Sequence, residues 1–259
     1  GCVEIGSEVI RIVRNEASVN GVDINGPAGP RHIKGTDFFS TMPLNELISR
    51  IDPAPPEEVV EAANGLRYRD FLTVVLILDI ADVFDDNWVY IHSPDVKVGR
   101  IQNFKNWSGD MVPDDSTTSL GLEYFCNEGD GLWNMSDTEL LELGTIEIER
   151  IGLAKKANVL DGVVVRQQKA YPVYDAVYGP LLATVQEWVS GLSNFHTIGR
   201  NGLHKYNNQD HSMLTAIMAV KNVVAGQTND VWSVNTDRSY HEEVRIPRSG
   251  GEPVDILEA

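Results

Sequence analysis

"GRNGLHKYNNQDHSMLTAIMA", residues 199–219, decides how this chain of 259 residues is read. Met213, Leu214, Ile217 and Met218 recur at helical spacing and run on into Val220 and Val224, so a helix opens near residue 210 with Asn208 or Asp210 as its N-cap. A helix start carries free amide donors and a partial positive charge, which suits a phosphate, a carboxylate or an electron-rich heterocycle. Gly199 and Gly202 permit a tight turn and a close approach to a ligand, and Arg200 adds a planar cation suited to phosphate. The plainer alternative is a capped helix after a glycine turn, with Arg200 paired to a surface carboxylate.

Working outward, "FHTIGR" is a short strand that delivers the chain into this motif, and "YGPLLATVQEWVSGL" before it is a helix. "GVVVRQQKAYPVYD" reads as a strand entering a proline turn. "SDTELLELGTIEIERIGL" opens with Ser136 and Glu139 at capping-box spacing and carries Leu140, Leu143, Ile148 and Ile151 at helical intervals. Between Phe71 and Cys126 the pattern is that of strands. "NWVYIH" puts Trp88, Tyr90 and His92 on one side, and "SLGLEYFC" keeps Leu120, Leu122, Tyr124 and Cys126 in register, because side chains alternate across a pleat. Short turns such as "SPDVK" predict antiparallel neighbours.

The front, "GCVEIGSEVIRIVRNEASVNGVDING", alternates around Asn20-Gly21 and Asn25-Gly26 and predicts a β-meander. A strand-to-helix step with Pro43 near the first helical turn follows, then a second short helix closed by Gly65. Beyond Ala225 the periodicity fades, which predicts a tail over the surface from 226 to 259. The class expected is mixed α/β (α+β), with a largely antiparallel sheet and helices.

Composition narrows the partners. A net charge of −17 opposes binding along a phosphate backbone, so nucleic acid is not an expected partner. Cys2 and Cys126 are too few for a disulfide scaffold and predict reduced thiols and a cytoplasmic setting. The longest apolar run, "FLTVVLIL", falls well short of the roughly 20 residues of a membrane span. No His and Cys spacing suggests a metal site, and no G-x-S-x-G or phosphate-loop signature occurs. The chain starts at Gly1 without a signal-like segment, which suggests a fragment of a longer protein.

The order strand, "GR-x-G", Tyr206 and then an acidic helix start resembles the C-terminal FAD-contacting segment of the flavin-containing amine oxidase superfamily, which includes UDP-galactopyranose mutase and protoporphyrinogen-oxidase-like proteins. "KAYPVYDAVYGPLL" before "NFHTIGR" is similar to that family's YP-containing segment, and "VEIGSEVIRI", "VNGVDI" and "GTDFFSTMP" resemble its hairpin and following strand. "LRYRDFLTVVLIL" adds a weaker likeness. The G-x-G-x-x-G strand-to-helix turn with which such proteins begin has no counterpart here, and "GPAGP" at 26–30 is an ordinary loop.

The resemblance implies an FAD-binding lobe of Rossmann-like type contributed by residues 1–42 and 166–225, a substrate-binding lobe over 43–165 and the tail from 226 to 259. It implies FAD contacts at Val9, Gly199, Arg200, Gly202, Tyr206, Asn208 and Asp210, with the helix start aimed at the pyrimidine end of the flavin ring. A wall of Trp88, Tyr90, His92, Arg100, Asn103 and Asn106 would meet a small polar substrate if it faces the flavin, and is ordinary sheet decoration otherwise. Tyr171, Tyr174 and Tyr178 are the better candidates, since a phenol can orient a polar substrate. Arg67 and Arg69 read as surface ion pairs, and His204 and His211 as caps or core donors before proton relays. No catalytic residue is assigned. The expected activity is hydride transfer from a small molecule to FAD, with a mutase using reduced flavin and a binding module without cofactor as alternatives. Homo-oligomerisation is compatible with the sequence, and FAD retention by this chain alone is expected to be weak or nil.

Overall fold

The computed structural model describes residues 1–236, so the expected tail beyond 236 lies outside the described residues. In chain order the elements are β1 (Glu8–Arg14), β2 (Val19–Asn25), β3 (Arg31–Ile33), β4 (Phe38–Ser40), α1 (Leu44–Ser49), β5 (Ile51–Asp52) and α2 (Glu57–Gly65). Then come β6 (Tyr68–Leu78), β7 (Trp88–Tyr90), β8 (Arg100–Asn103), α3 (Phe104–Trp107), β9 (Thr118–Cys126), α4 (Asp137–Arg150) and β10 (Val159–Pro172). After these come α5 (Tyr178–Ser190), β11 (Phe195–Thr197), α6 (Gln209–Ala225) and a short 3-10 helix (Val231–Ser233). The class is mixed α+β with an antiparallel five-stranded sheet. The described residues divide into two compact units, Gly1–Arg67 with those from Tyr174 onward, and Tyr68–Val173.

In the first unit the expected meander forms a sheet in the order β3-β2-β1-β5. β5 lies parallel to β1 with Ile12 opposite Ile51, which ties the end of α1 to this sheet. α2 buries Val59, Ala62 and Ala63. Its Gly65 lies against α5, where an added Cβ would sit 2.7 Å from Leu181 Cδ1. Residues 43–67 therefore belong with the first unit and not with the substrate lobe expected from 43 onward. Long-range packing places that boundary, and no shift in composition marks it. The remaining sheet is a parallel pair, β4 with β11, in which Phe38 faces Phe195 and Ser40 faces Thr197.

The second unit is a sheet in the order β10-β6-β9-β8-β7. Alternation along β6 and β9 turns Leu72, Val74, Leu76, Leu120, Leu122 and Tyr124 to one side, all fully buried. α4 covers that side with Leu140 and Ile148. Gly144 lets α4 close in, since a Cβ there would meet Val74 Cγ1 at 3.0 Å. Glu147, buried on the same helix, accepts hydrogen bonds from the backbone N–H groups of Lys97 (2.6 Å) and Val98 (3.1 Å) and from the Tyr124 hydroxyl (2.9 Å). Burial, then the Glu147 charge, push the Tyr124 phenol above its ordinary range. The opposite face of the sheet is more open: Val163 and Val165 of β10 are exposed.

Ser136 and Glu139 form the reciprocal capping box that their spacing predicts, with the Glu139 carboxylate accepting from the Ser136 N–H at 2.8 Å. Ser136→Ala is expected to lower stability by about 1 kcal/mol in urea unfolding. The hydrogen bonds from the Ser136 hydroxyl and then its N–H hold the Glu139 carboxyl below its usual 4.5. Its stabilisation is present above that value and is lost as pH falls through the depressed one, so Glu139→Gln should flatten that acid limb.

Candidate functional site

The parallel pair β4 and β11 ends at Ser40 and Thr197, and the Gly199–Gly202 turn wraps the carboxyl ends of both strands. Ile198 N–H donates to Ser40 O at 3.0 Å. Gly199 takes φ +83°, a conformation that favours glycine. Its N–H donates to Thr215 Oγ1 (2.9 Å) and its carbonyl accepts from Asn207 Nδ2 (3.0 Å). These two bonds fix the turn against the first turns of α6. In parallel α/β sheets the carboxyl ends of the strands are where ligands bind, and here the start of α6 is brought to that end. Asn208 is the N-cap, and Asn208, Gln209 and Asp210 are exposed.

His211 completes the cap, its Nδ1 lying 3.2 Å from the Asn208 N–H, which fits the capping role read for it. Arg200 donates to Asn207 O at 3.1 Å, and its guanidinium lies 5.4 Å from the centre of the Tyr206 ring. The Tyr206 N–H in turn donates to the Tyr174 hydroxyl at 3.1 Å. Tyr174 stacks on Tyr178 with centroids 4.5 Å apart and meets Tyr206 edge-on at 4.9 Å. Burial pushes the Tyr174 phenol up. The fully buried His204 ring lies 6.3 Å from that of Tyr174. Lys205 anchors residues 232–234 through the carbonyls of Trp232 and Val234, and desolvation lowers its pKa.

In the second unit, the open sheet face carries Trp88, Tyr90, Arg100, Gln102, Glu123 and Tyr171. Register explains the grouping: Trp88 pairs with Gln102, Tyr90 with Arg100, and Arg100 with Glu123. Arg100 donates to Glu123 Oε2 through Nε (2.7 Å) and Nη2 (2.6 Å), and to the Tyr171 hydroxyl at 3.2 Å. Gln102 donates to the other Glu123 oxygen at 2.5 Å. Burial opposes the Arg100 charge, yet Glu123 outweighs it and raises the guanidinium pKa, so Arg100 stays charged. Trp88 stacks on Trp107 at 5.4 Å.

These contacts compare with known structures at the level of fold. The chain matches reduced UDP-galactopyranose mutase with a TM-score of 0.75 at 20% identity, over 89% of this chain and 49% of that one. It matches a putrescine oxidase triple mutant redesigned in cofactor binding with a TM-score of 0.58 at 14% identity, over 85% and 49%. A protein from Exiguobacterium sp. 255-15, provisionally named a protoporphyrinogen oxidase, matches with 0.59 at 15%, over 85% and 47%. At these identities the likeness is one of fold alone. The chain spans about half the length of the solved structures it matches. No family model matches the sequence, and no curated protein does.

The fold places the residues read from the sequence as follows. Gly199, Arg200, Gly202, Tyr206, Asn208 and Asp210 come together in the first unit around the start of α6. Val9 lies apart from them on β1, where its carbonyl accepts from Arg50. The close approach that requires glycine at 202 is to the protein's own backbone, since a Cβ would stand 2.4 Å from Ile198 O and 2.7 Å from Ser40 O. Trp88, Tyr90, Arg100 and Tyr171 share the sheet face of the second unit, whereas Tyr174 belongs to the first. Asn103 is turned to the other face of β8, buried, with Nδ2 donating to Phe84 O at 3.1 Å. Its distance of three residues from Arg100 puts it across the pleat. Asn106 ties down the same loop through Phe84 O and Asp86 O. Arg67 lies 3.7 Å from Asp175, and Arg69 donates to Phe125 O at 3.4 Å.

Asn207, Thr215 and Glu123 are the residues that sequence reading passed over. Only Glu123 leaves a trace, as a charge within the alternating apolar run of "SLGLEYFC".

Proposed function

We propose that this chain forms part of an FAD-dependent oxidoreductase acting on a small polar substrate, and that the start of α6 meets the flavin ring. The observation that carries the reading is the convergence of the Gly199–Gly202 turn and the α6 start on the carboxyl ends of the parallel pair. The residues fit a ring better than a phosphate. Exposed Asp210 in the first turn repels a polyanion, while the partial positive charge of a helix start favours an electron-rich heterocycle that accepts hydrogen bonds.

FAD supplies the redox chemistry when bound. The α6 start would hold the ring edge and stabilise negative charge there, with Gly199 shaping the turn beside it. Arg200, braced by Asn207 and Tyr206, adds a positive field beside the turn. Tyr174 sets the position of Tyr206 through its hydroxyl and through the ring contacts it makes with Tyr178 and Tyr206. On the other unit, Tyr90, Arg100 and Tyr171 present a cation and two phenols that can bind and orient a polar substrate. A mutase-like reading, in which reduced flavin acts on a sugar nucleotide, is favoured by the TM-score of 0.75 to UDP-galactopyranose mutase.

The test is flavin absorbance in the polypeptide read from its gene's own start codon. A stoichiometric oxidised-flavin spectrum is expected there, and weak or no retention by the 259-residue chain alone; a colourless longer polypeptide would sink the reading. Bleaching on addition of substrate marks an oxidoreductase, whereas turnover only after prior reduction marks the mutase. Arg200→Ala is expected to weaken FAD binding by about 1.5 to 3 kcal/mol, the worth of a hydrogen bond to a charged group, in flavin titration. Unchanged affinity would leave Arg200 as a brace of the turn alone.

A further inference from the structure

The edge of a β-sheet carries N–H and C=O groups that its own sheet leaves unpaired, and proteins keep such edges short, charged or covered. Among the described residues the terminal strands β3, β4, β5, β7 and β11 are each two or three residues long. β10 is the exception. It runs for 14 residues at the end of the five-stranded sheet, with β6 as its one neighbour among the described strands. On one face α4 lies so close that a Cβ at Gly162 would stand 2.5 Å from Leu141 Cδ2. Arg166 turns to that side, donating to Met135 O at 2.6 Å and Trp133 O at 3.3 Å and pairing with Asp137. The other face presents Val163 and Val165, 54% and 48% exposed. From Gly162 to Gln168 the one charge is therefore already matched inside the chain, and nothing in that stretch repels a further strand.

Two opposite charges bracket it. Asp161 and Lys169 each stand four residues from Val165. Lys169 sits in a bulge, at φ +50°, with its N–H held by Asp70 Oδ1 at 2.6 Å, and its four-carbon stem spans the local offset. We infer that β10 is an interface between two copies of this chain, joined edge to edge and antiparallel about a twofold axis at Val165. That register sets Val165 against Val165 of the second copy, Val163 against Gln167, and Asp161 against Lys169 at both ends. A strand whose opposite charges are equidistant from one residue is complementary to itself, which selects a second copy over a foreign strand. The net charge of −17 does not forbid this pairing, because β10 itself carries two cations and one anion. Exposed charges farther off than about 8 Å are screened at physiological salt. The inference stands apart from the flavin reading, since strand pairing needs no cofactor.

Sedimentation of the 259-residue chain over a range of concentrations is expected to show a monomer–dimer equilibrium. Val165→Lys sets two ammonium groups on the axis and should leave monomer. Asp161→Lys and Lys169→Asp should each weaken dimerisation about tenfold, although they move the net charge in opposite directions, and the double reversal should restore it. Circular dichroism checks that each variant is folded. In a Cys2→Ser background, with Cys126 buried, Val165→Cys should give a disulfide-linked dimer on mild oxidation and Val163→Cys should not. A chain that is monomeric at every concentration overturns the inference, as does a dimer that survives Val165→Lys or that the double reversal fails to restore. Linking through position 163 in place of 165 overturns the register and the charge pairing with it. The polypeptide read from its gene's own start codon should dimerise in the same way; if it stays monomeric, its own chain covers the edge and the inference falls.

Discussion

Glu147→Ala should lower the stability of the second unit by about 3 kcal/mol or more, since it strands three donors that each cost about 1 to 3 kcal/mol when buried without a partner. The donors are the N–H groups of Lys97 and Val98 and the hydroxyl of Tyr124, and Val98 and Tyr124 are themselves buried. Against a total of about 5 to 15 kcal/mol for a domain, this is a large share. Tyr124→Phe removes one bond to the carboxylate and should cost about 1.5 to 3 kcal/mol. Exposed Glu142 on the same helix is the control, expected within about 0.5 kcal/mol on change to Ala. Urea unfolding followed by tryptophan fluorescence reads all three. A loss below about 1 kcal/mol for Glu147→Ala would mean that water reaches the stranded groups.

Gly202→Ala is the second large effect. The added Cβ falls within 2.7 Å of two carbonyl oxygens, Ile198 O and Ser40 O, and neither belongs to a flexible side chain that can swing away. Relief requires the carboxyl ends of β4 and β11 to part, for which overpacking of about 1 to 3 kcal/mol is expected, toward the upper end. Gly199→Ala meets more space, with Thr41 Cγ2 at 3.6 Å, and is opposed by its φ of +83° at about 1 to 2 kcal/mol. Thermal unfolding of the two variants separates crowding from backbone strain. Flavin affinity in the gene-encoded polypeptide should fall with Gly202→Ala if the ends of β4 and β11 hold the ring. A variant as stable as the parent would show that the strand ends yield freely.

Particular elements show where sequence reading succeeds. The Ser136 and Glu139 box, the alternation of Leu120, Leu122 and Tyr124, and the helix starting beside Asn208 are all written within a few neighbouring residues, so local periodicity and capping chemistry reveal them. Asn103 is instructive because period two was enough to separate it from Arg100, yet a wall drawn from residue types put both on one face. The partnership of Arg100 with Glu123 spans 23 positions and depends on strand register. The brace of Gly199 by Asn207 and Thr215 depends on where α6 turns back on β11.

By itself, the amino-acid order determined the longer strands and helices, where α4 and α6 begin, and that a glycine turn precedes α6, because each rests on sterics and hydrogen bonds between near neighbours. Tertiary structure alone decided that residues 43–67 join the first unit, that Gly202 is crowded by its own backbone, and that Glu123 and Glu147 are buried acceptors. Those outcomes depend on groups distant in the chain meeting in a space from which water is excluded, where an unmatched charge or an extra methyl group is costly.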